Sequence, residues 1–315
     1  MVNLNYFISA LKGTPEALRI HRQGLEHQPG ILNGLKHLQA VTAETATRDN
    51  ADQEQPIFLL SAGWRSGSTL VQRLIMSDPR VLIWGEPFDE CGMIQKMAET
   101  LVAFRPGWPP EDYFYDYHKV SSAQELSTEW IANLFPGLEE LRQSHRALFT
   151  TLFAEPAQKA GAGIWGIKEV RLTIEHAFYL KWLYPNARFI LLYRNPLKAY
   201  QSYCRYGRSW YDTWPDKPVF TPMAFGQHWQ KLLQGYIRQA EQLGGLLLCY
   251  EDLIQDNRQL DRLENYLDIE INHNLIKKKV GSSELSTGKA WVSRLEKWLL
   301  RRAVSPLAEE MGYKW

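Results

Sequence analysis

Five short apolar runs punctuate the chain: IFLLSA (57–62), VLIW (81–84), IWGIK (164–168), RFILLY (188–193) and LLLCY (246–250). Each has the length of a strand and lacks the strict apolar–polar alternation of a half-exposed one. Such runs suit strands buried on both faces. Helical periodicity fills the gaps between them: Leu70, Leu74 and Ile75 after the first run, a stretch around 171–183 after the third, and a segment opened by Pro196 after the fourth. A long helix near 224–242 and another from about 252 flank the fifth. Strands alternating with helices require crossover connections, which predicts an α/β fold of three layers around a central, mostly parallel sheet. Sheets of this kind bind ligands outside the carboxyl ends of their strands.

The remainder of the chain differs in character. Ile31, Leu35 and Leu38 recur at helical spacing, and Gly30 separates them from an amphipathic stretch around Leu18 and Leu25. A polar run, TAETATRDNADQEQP, then reads as a linker ending at Pro56. The expected organisation is an N-terminal helical extension and linker over 1–55 and one domain over 56–315. Within that domain 99–160, rich in Pro and aromatics, carries no clear sheet signal and reads as an insertion or lid.

Charge narrows the function. Lys plus Arg total 36 against 35 Asp plus Glu, so no global basic field favours nucleic acid, and any anion site must be local. Three cysteines without a CxxC pair argue against a disulfide framework and a zinc site. No basic leader with an apolar core opens the chain, and no apolar stretch approaches the roughly 20 residues that cross a bilayer. The expectation is a cytoplasmic protein with no transmembrane segment.

The first strand runs into Gly63-Trp64-Arg65-Ser66-Gly67-Ser68-Thr69, and a helix follows. A strand, a glycine turn and a helix start make an anion cradle, because the first N–H groups of a helix lack intrahelical partners and lie at the positive end of its dipole. Gly63 and Gly67 allow close backbone approach, Arg65 adds a cation, and Ser68 and Thr69 offer hydroxyls. The nucleotide-triphosphatase pattern G-x-x-x-x-G-K-[ST] is not met: one residue fewer separates the glycines, and no Lys follows the second. RFILLY is followed by Arg194 rather than by an acid that would help hold Mg²⁺.

Arg65-Ser66-Gly67-Ser68-Thr69-Leu70 resembles the 5′-phosphosulfate loop of sulfotransferases that use 3′-phosphoadenosine-5′-phosphosulfate (PAPS). It takes the Arg-containing form of tyrosylprotein and many bacterial sulfotransferases. Arg194-Asn195-Pro196 followed by Ser202 resembles the family's 3′-phosphate site, a strand-end Arg with a Ser eight residues on. The pairing is physically sensible: Arg194 can grip a phosphate in bidentate fashion, and Ser202 lies about two helical turns further along on nearly the same face. The resemblance implies a P-loop-like sulfotransferase fold, PAPS as co-substrate with adenosine 3′,5′-bisphosphate (PAP) as product, and no metal. It also implies a base: Glu86, in Gly85-Glu86-Pro87 after the second strand, occupies the position of the proposed catalytic Glu of tyrosylprotein sulfotransferases. Cytosolic sulfotransferases use a His between the two nucleotide motifs instead, and His118 and His145 lie in that interval. Lys168 resembles the Lys of the family's Asn-Lys-Asp-Pro segment and would neutralise charge on the bridging oxygen. Tyr250-Glu251-Asp252-Leu253 resembles the Tyr-Glu-x-Leu segment, whose ring packs near the adenine. Ser283 and Lys289 fall in a late basic loop that would close over the nucleotide, and EEMGYKW resembles the family's C-terminal Gly-Tyr segment.

The implied activity is sulfuryl transfer to a hydroxyl-bearing acceptor, in line and with a Glu base. The stretch 99–160 and Trp210-Tyr211-Asp212-Thr213-Trp214 combine flat aromatic faces with carboxylates, which suits a saccharide or glycolipid as well as plain core packing. Two other classes remain open at this stage. A kinase-like phosphoryl-transfer enzyme predicts Mg²⁺-dependent nucleotide turnover, and a non-catalytic nucleotide-binding partner protein predicts binding without turnover.

Overall fold

The computed structural model describes residues 30–42, 53–88, 91–106, 108–110, 113–115, 122, 124–128, 133–205, 219–277 and 292–314. The expectations for the helix around Leu18 and Leu25, for His118, for 210–214 and for Ser283 and Lys289 lie outside them. Among the described residues the chain forms two compact units, Met1–Ala46 with Ala98–Leu138, and Thr47–Met97 with Glu139–Trp315.

In the first unit, helix α1 (Ile31–Thr42) packs on the 3-10 turn Thr100–Ala103. Its apolar stripe Ile31, Leu35 and Leu38 is buried together with Leu101, as the spacing predicts. Further along, Tyr115 N–H donates to the Phe135 carbonyl and Phe135 N–H to the Tyr113 carbonyl, both at 2.8 Å. Phe135 packs against both Tyr113 and Phe114, and Trp108 meets Tyr113 edge-on.

The second unit contains the sheet. Its elements are β1 (Ile57–Ser61), α2 (Ser68–Ile75), β2 (Val81–Gly85), the start of α3 (Met93–Glu99), α4 (Leu138–Phe149), a π turn (Thr150–Ala154), α5 (Glu155–Lys159), β3 (Ile164–Glu169), α6 (Ile174–Leu183), β4 (Arg188–Tyr193), α7 (Pro196–Arg205), α8 (Pro222–Leu243), β5 (Leu246–Cys249), α9 (Tyr250–Gln255), α10 (Asn257–Leu267) and α11 (Arg294–Glu310). The five strands are all parallel, in the order β2-β3-β1-β4-β5. Helices lie on both sides of the sheet, which gives the three-layer α/β architecture that the sequence predicts.

β1 is buried along its whole length because it sits in the middle of the sheet and feeds two different cores. Ile57 and Leu59 join Val71, Leu74 and Ile75 of α2 and Leu260, Leu263 and Leu267 of α10 in an aliphatic cluster. Phe58, on the opposite face, packs among Trp165, Tyr184 and Phe189, and Phe149 and Phe153 complete that aromatic layer. Removing one such ring from a packed core costs about 3–5 kcal/mol.

Two boundaries differ from the sequence reading. Glu169 rather than Lys168 ends β3, since Leu60 still pairs with it. Cys249 rather than Tyr250 ends β5, because Tyr250 already has helical backbone as the first residue of α9. The stretch 99–160 carries α4, the π turn and α5 in its second half, and α11 was not anticipated because Pro306 interrupts its helical pattern.

Candidate active site

The carboxyl ends of all five strands bring polar side chains to one edge of the sheet. At the end of β1 the chain turns at Gly63, with Ala62 N–H still paired to the Leu192 carbonyl of β4 at 2.8 Å. Arg65 and Gly67 both take left-handed backbone, φ +60° and +91°. The second is natural for glycine; the first is uncommon for a side chain and typical of a strained functional loop. A Cβ at Gly67 would lie 2.2 Å from the Tyr250 ring, so the loop admits only glycine there. Gly67 is the N-cap of α2 and supplies no side-chain cap, leaving the first N–H groups of Ser68 and Thr69 as donors at the positive helix end. Ser66 is fully buried in the loop, and its hydroxyl has no hydrogen-bond partner among the described residues. An unsatisfied buried hydroxyl is costly. Together with a glycine-lined turn and a neighbouring Arg, it fits a loop built around a bound anion.

The two anion motifs meet. Arg65 Nε donates to Ser202 Oγ at 3.1 Å, and Arg194 Nη1 donates to the Arg65 carbonyl at 3.0 Å. Tyr250 touches both sides of this junction: it abuts Gly67, and the Arg194 guanidinium lies 4.4 Å from its ring centroid, a cation–π contact. Residues more than 120 positions apart thus form one cationic cradle across the ends of β1, β4 and β5.

At the ends of β2 and β3 lies a buried charge cluster. Glu86 N–H donates to the Lys168 carbonyl at 2.8 Å, so sheet pairing extends one residue beyond β2 and fixes the Glu86 backbone. Its carboxylate binds Lys168 Nζ directly and accepts from Arg171 Nη1 at 3.2 Å. Lys168 and Arg171 are both buried. Beneath them Glu169, also buried, accepts from the Val170 and Arg171 N–H groups. Burial, and secondarily the Glu86 charge, raise the Glu169 carboxyl to about 7 against the opposing pull of Arg171 and the two N–H groups.

That shift has a thermodynamic consequence. Between its usual 4.5 and about 7, folded Glu169 holds a proton that the unfolded chain releases. Its contribution to stability is therefore fully present below pH 4.5, falls as pH rises, and is lost above pH 7. Burial holds His176 and His228 below the usual His value, and they act in the opposite sense, destabilising the fold as pH falls. The comparison must accordingly be a difference between proteins. Glu169→Gln is expected to gain stability relative to wild type as pH rises from 5 to 8, by on the order of 1–3 kcal/mol. Thermal unfolding curves of the two proteins that stay parallel across this range would contradict it.

Helix α8 backs the whole edge. Its buried face carries Phe225, His228, Trp229, Leu232, Leu233 and Tyr236 at helical spacing, and two of these residues send polar tips to backbone carbonyls at or just beyond strand ends. Tyr236 OH donates to the Leu172 carbonyl at 2.7 Å and lies 3.4 Å from that of Ser61; Trp229 Nε1 donates to the Arg194 carbonyl at 3.0 Å. His228 stacks on Trp64, ring centroids 4.4 Å apart, directly under Gly63. Burial, then the charges of Arg171 and Lys231, hold it neutral.

Of the residues singled out in the sequence, the structure brings together Arg65, Ser66, Gly67, Ser68, Thr69, Arg194, Ser202 and Tyr250 in the cradle, and Glu86 with Lys168 beside it. His145 is engaged elsewhere: its Nδ1 is 2.9 Å from Tyr179 OH and its ring packs edge-on against Trp182. The sequence reading gave no role to Arg171, Trp64, His228, Trp229 or Glu251; Trp64 and Glu251 fall inside motifs it singled out, and His228 and Trp229 lie on the long helix it expected near 224–242. Among the described residues the one group with metal-ligand spacing is Asp261, Glu264 and His273 on α10 and the turn after it, and it includes no residue of this site. No helix among those residues is long and apolar enough to cross a membrane.

The chain is similar to the sulfotransferase domain of the Synechococcus PCC 7002 olefin synthase, at 16% identity over 86% of this chain and 100% of that one, TM-score 0.42. It is similar to the sulfotransferase domain of the curacin biosynthetic pathway, at 15% identity over 83% and 98%, TM-score 0.45. A third similar structure is mouse sulfotransferase SULT7A1 complexed with PAP, at 13% identity over 90% and 85%, TM-score 0.34. None of the curated proteins compared matches it. The sulfotransferase family model matches residues 56–273, more than half of the chain and a span that holds all five strands and every strand-end residue described above, so the chain belongs to the sulfotransferase family.

Proposed function

We propose that this protein transfers a sulfuryl group from PAPS to an acceptor hydroxyl, without a metal ion. The observation that carries the reading is the contact chain Ser202–Arg65–Arg194, which joins the phosphate loop to the second anion motif at adjoining strand ends. PAPS supplies a sulfuryl group activated by a phosphate leaving group. The loop residues 65–69 would hold the 5′-phosphosulfate, Arg194 and Ser202 the 3′-phosphate, and Tyr250 the neighbourhood of the adenine. Ser283 and Lys289 would close over the nucleotide. Arg65 and Lys168 offer positive charge to the departing phosphate. Glu86, held at the end of β2 beside Lys168, accepts the proton of the acceptor hydroxyl. A saccharide or glycolipid hydroxyl is the acceptor class we propose, in keeping with the aromatic and carboxylate-rich segments of the sequence.

The direct test is transfer from labelled PAPS onto a panel of saccharides, phenols and lipid extracts. PAP should raise the unfolding temperature of the protein while ATP leaves it unchanged, because only a ligand that binds the folded state stabilises it. Selectivity should reside in Arg194. Wild type is expected to bind PAP much more tightly than AMP, and Arg194→Ala to remove about 10–100-fold of that preference, since a charge-assisted contact contributes roughly 1.5–3 kcal/mol. Equal wild-type affinity for the two nucleotides would defeat the assignment.

A further inference from the structure

Four groups from three segments meet at the carboxylate of Glu251, two residues past the end of β5. Asn195 N–H donates to its two oxygens at 3.3 and 3.2 Å, and Tyr313 OH donates to Oε2 at 3.2 Å. Cys249 Sγ lies 3.7 Å from the same oxygen. Arg194 Nε stands 3.8 Å from Oε1, an ion-pair distance too long for a hydrogen bond.

Tyr313 reaches this point because of how α11 ends. Gly312 takes left-handed backbone, φ +79°, and Gly312 N–H and Tyr313 N–H bond back to the Glu309 and Ala308 carbonyls at 3.0 and 2.9 Å. Glycine at this position ends a helix and reverses the chain. The reversal sends the Tyr313 ring against Tyr193, the last residue of β4, edge-on at 6.5 Å. Burial first, then Cys249 and Glu251, push the Tyr313 phenol far above its usual range, so it stays an O–H donor.

Arg194 is therefore held on several sides without being used up. Its Nη1 bonds the Arg65 carbonyl, its face lies on Tyr250, and its backbone carbonyl accepts from Trp229. Its Nε is buried with no hydrogen-bond partner among the described residues, while about a fifth of the side chain is exposed. An arginine grips phosphate through a rigid fork, so its grip depends on orientation as much as on charge. Glu251 pins the residue after Arg194 through its N–H and sets a negative charge beside the guanidinium, just outside hydrogen-bonding range.

We propose that Glu251, steadied by Tyr313 of the C-terminal segment, is a positioning residue that aims Arg194 and thereby sets selectivity for nucleotides bearing a 3′-phosphate. The inference rests on the PAPS reading above and assigns a task to two sequence motifs, Tyr250-Glu251 and Gly312-Tyr313, beyond it.

The test is titration calorimetry of PAP and AMP with the full chain as wild type, Glu251→Ala, Glu251→Gln and Tyr313→Phe. Glu251→Ala is expected to weaken PAP by about 10-fold or more with AMP changed less than about 3-fold. Glu251→Gln should retain most of the PAP preference, because its amide oxygen still accepts from Asn195 N–H. Tyr313→Phe should lose a smaller part of it, and gives the same comparison if Glu251→Ala does not fold. Equal weakening of PAP and AMP would mean a merely structural role and overturn the inference. So would tighter PAP binding in Glu251→Ala, which would mean that the carboxylate opposes the phosphate, or an unchanged preference in Tyr313→Phe and Glu251→Ala. A wild type that binds PAP and AMP equally would instead defeat the nucleotide reading itself, and the inference with it.

Discussion

Glu86→Gln is expected to lower sulfuryl-transfer turnover by about 10²–10⁴-fold, the usual range for losing a general base, while PAP affinity stays within a few-fold of wild type. The separation follows from position. Glu86 stands at the end of β2, with its backbone N–H fixed to Lys168 and its carboxylate on Lys168 and Arg171, whereas the phosphate cradle is built at the ends of β1, β4 and β5. Glutamine keeps the shape and one acceptor oxygen but removes the charge and the capacity to take a proton. It also leaves two buried cations without their carboxylate. Breaking a fully buried pair costs about 3–5 kcal/mol, and less is expected here because the Glu86 side chain is 28% exposed. Turnover must therefore be measured per folded, PAP-saturated molecule, with thermal unfolding run alongside. Full activity in Glu86→Gln together with a dead His118→Ala would transfer the base to the histidine position of the cytosolic enzymes.

The sheet was legible because its strands are buried on both faces. RFILLY reads as a strand over 188–193 and forms one over Arg188–Tyr193, since its four central residues are apolar and fully buried. The cradle was legible for a related reason: Arg65 and Arg194 are cations placed directly after apolar runs, where a parallel sheet puts its ligands. Arg171 was not legible. Three residues after Lys168 in a short connection, it looks like any surface cation until β2 and β3 pair and bring Glu86 against it. Glu251 and Tyr313 are separated by 62 positions, and only the reversal at Gly312 joins them. Helix α8 was visible from its periodicity, but period alone says which face is buried and not that Trp229 and Tyr236 would spend their polar tips on strand-end carbonyls. Trp64, Trp165 and Trp229, outside the stretches read as a possible sugar surface, are buried, the first in the phosphate loop against His228 and the second in the aromatic core.

Sulfuryl transfer is expected to persist in excess EDTA, with Arg65→Ala and Lys168→Ala each lowering the rate by about 10²–10³-fold, as when one preorganised donor to a developing charge is removed. A triphosphatase site needs Mg²⁺ because a polyphosphate carries more charge than one Lys can neutralise. PAPS presents a single phosphate linked to sulfate at the reacting end, so the charge developing at the departure point is smaller. The residues agree with that demand. Gly67 is followed by Ser68 and Thr69 rather than Lys-Ser/Thr, and β4, next to β1 in the sheet, leads into Arg194 where a Mg²⁺ site would want an acid. The acid that does end a neighbouring strand, Glu169, is buried, bonded to two backbone N–H groups and inclined to keep its proton, so it is a poor ligand for a cation. Lys168 is different: its Nζ is bound to the carboxylate of Glu86 at the ends of β2 and β3, and its loss should cost rate far more than PAP affinity. Arg65 is tied to Ser202 and to Arg194 through its own carbonyl, so Arg65→Ala should cost both. Activity abolished by EDTA and restored by Mg²⁺ would overturn this account of the phosphate loop, and unchanged rates in Lys168→Ala would remove that residue from the chemistry.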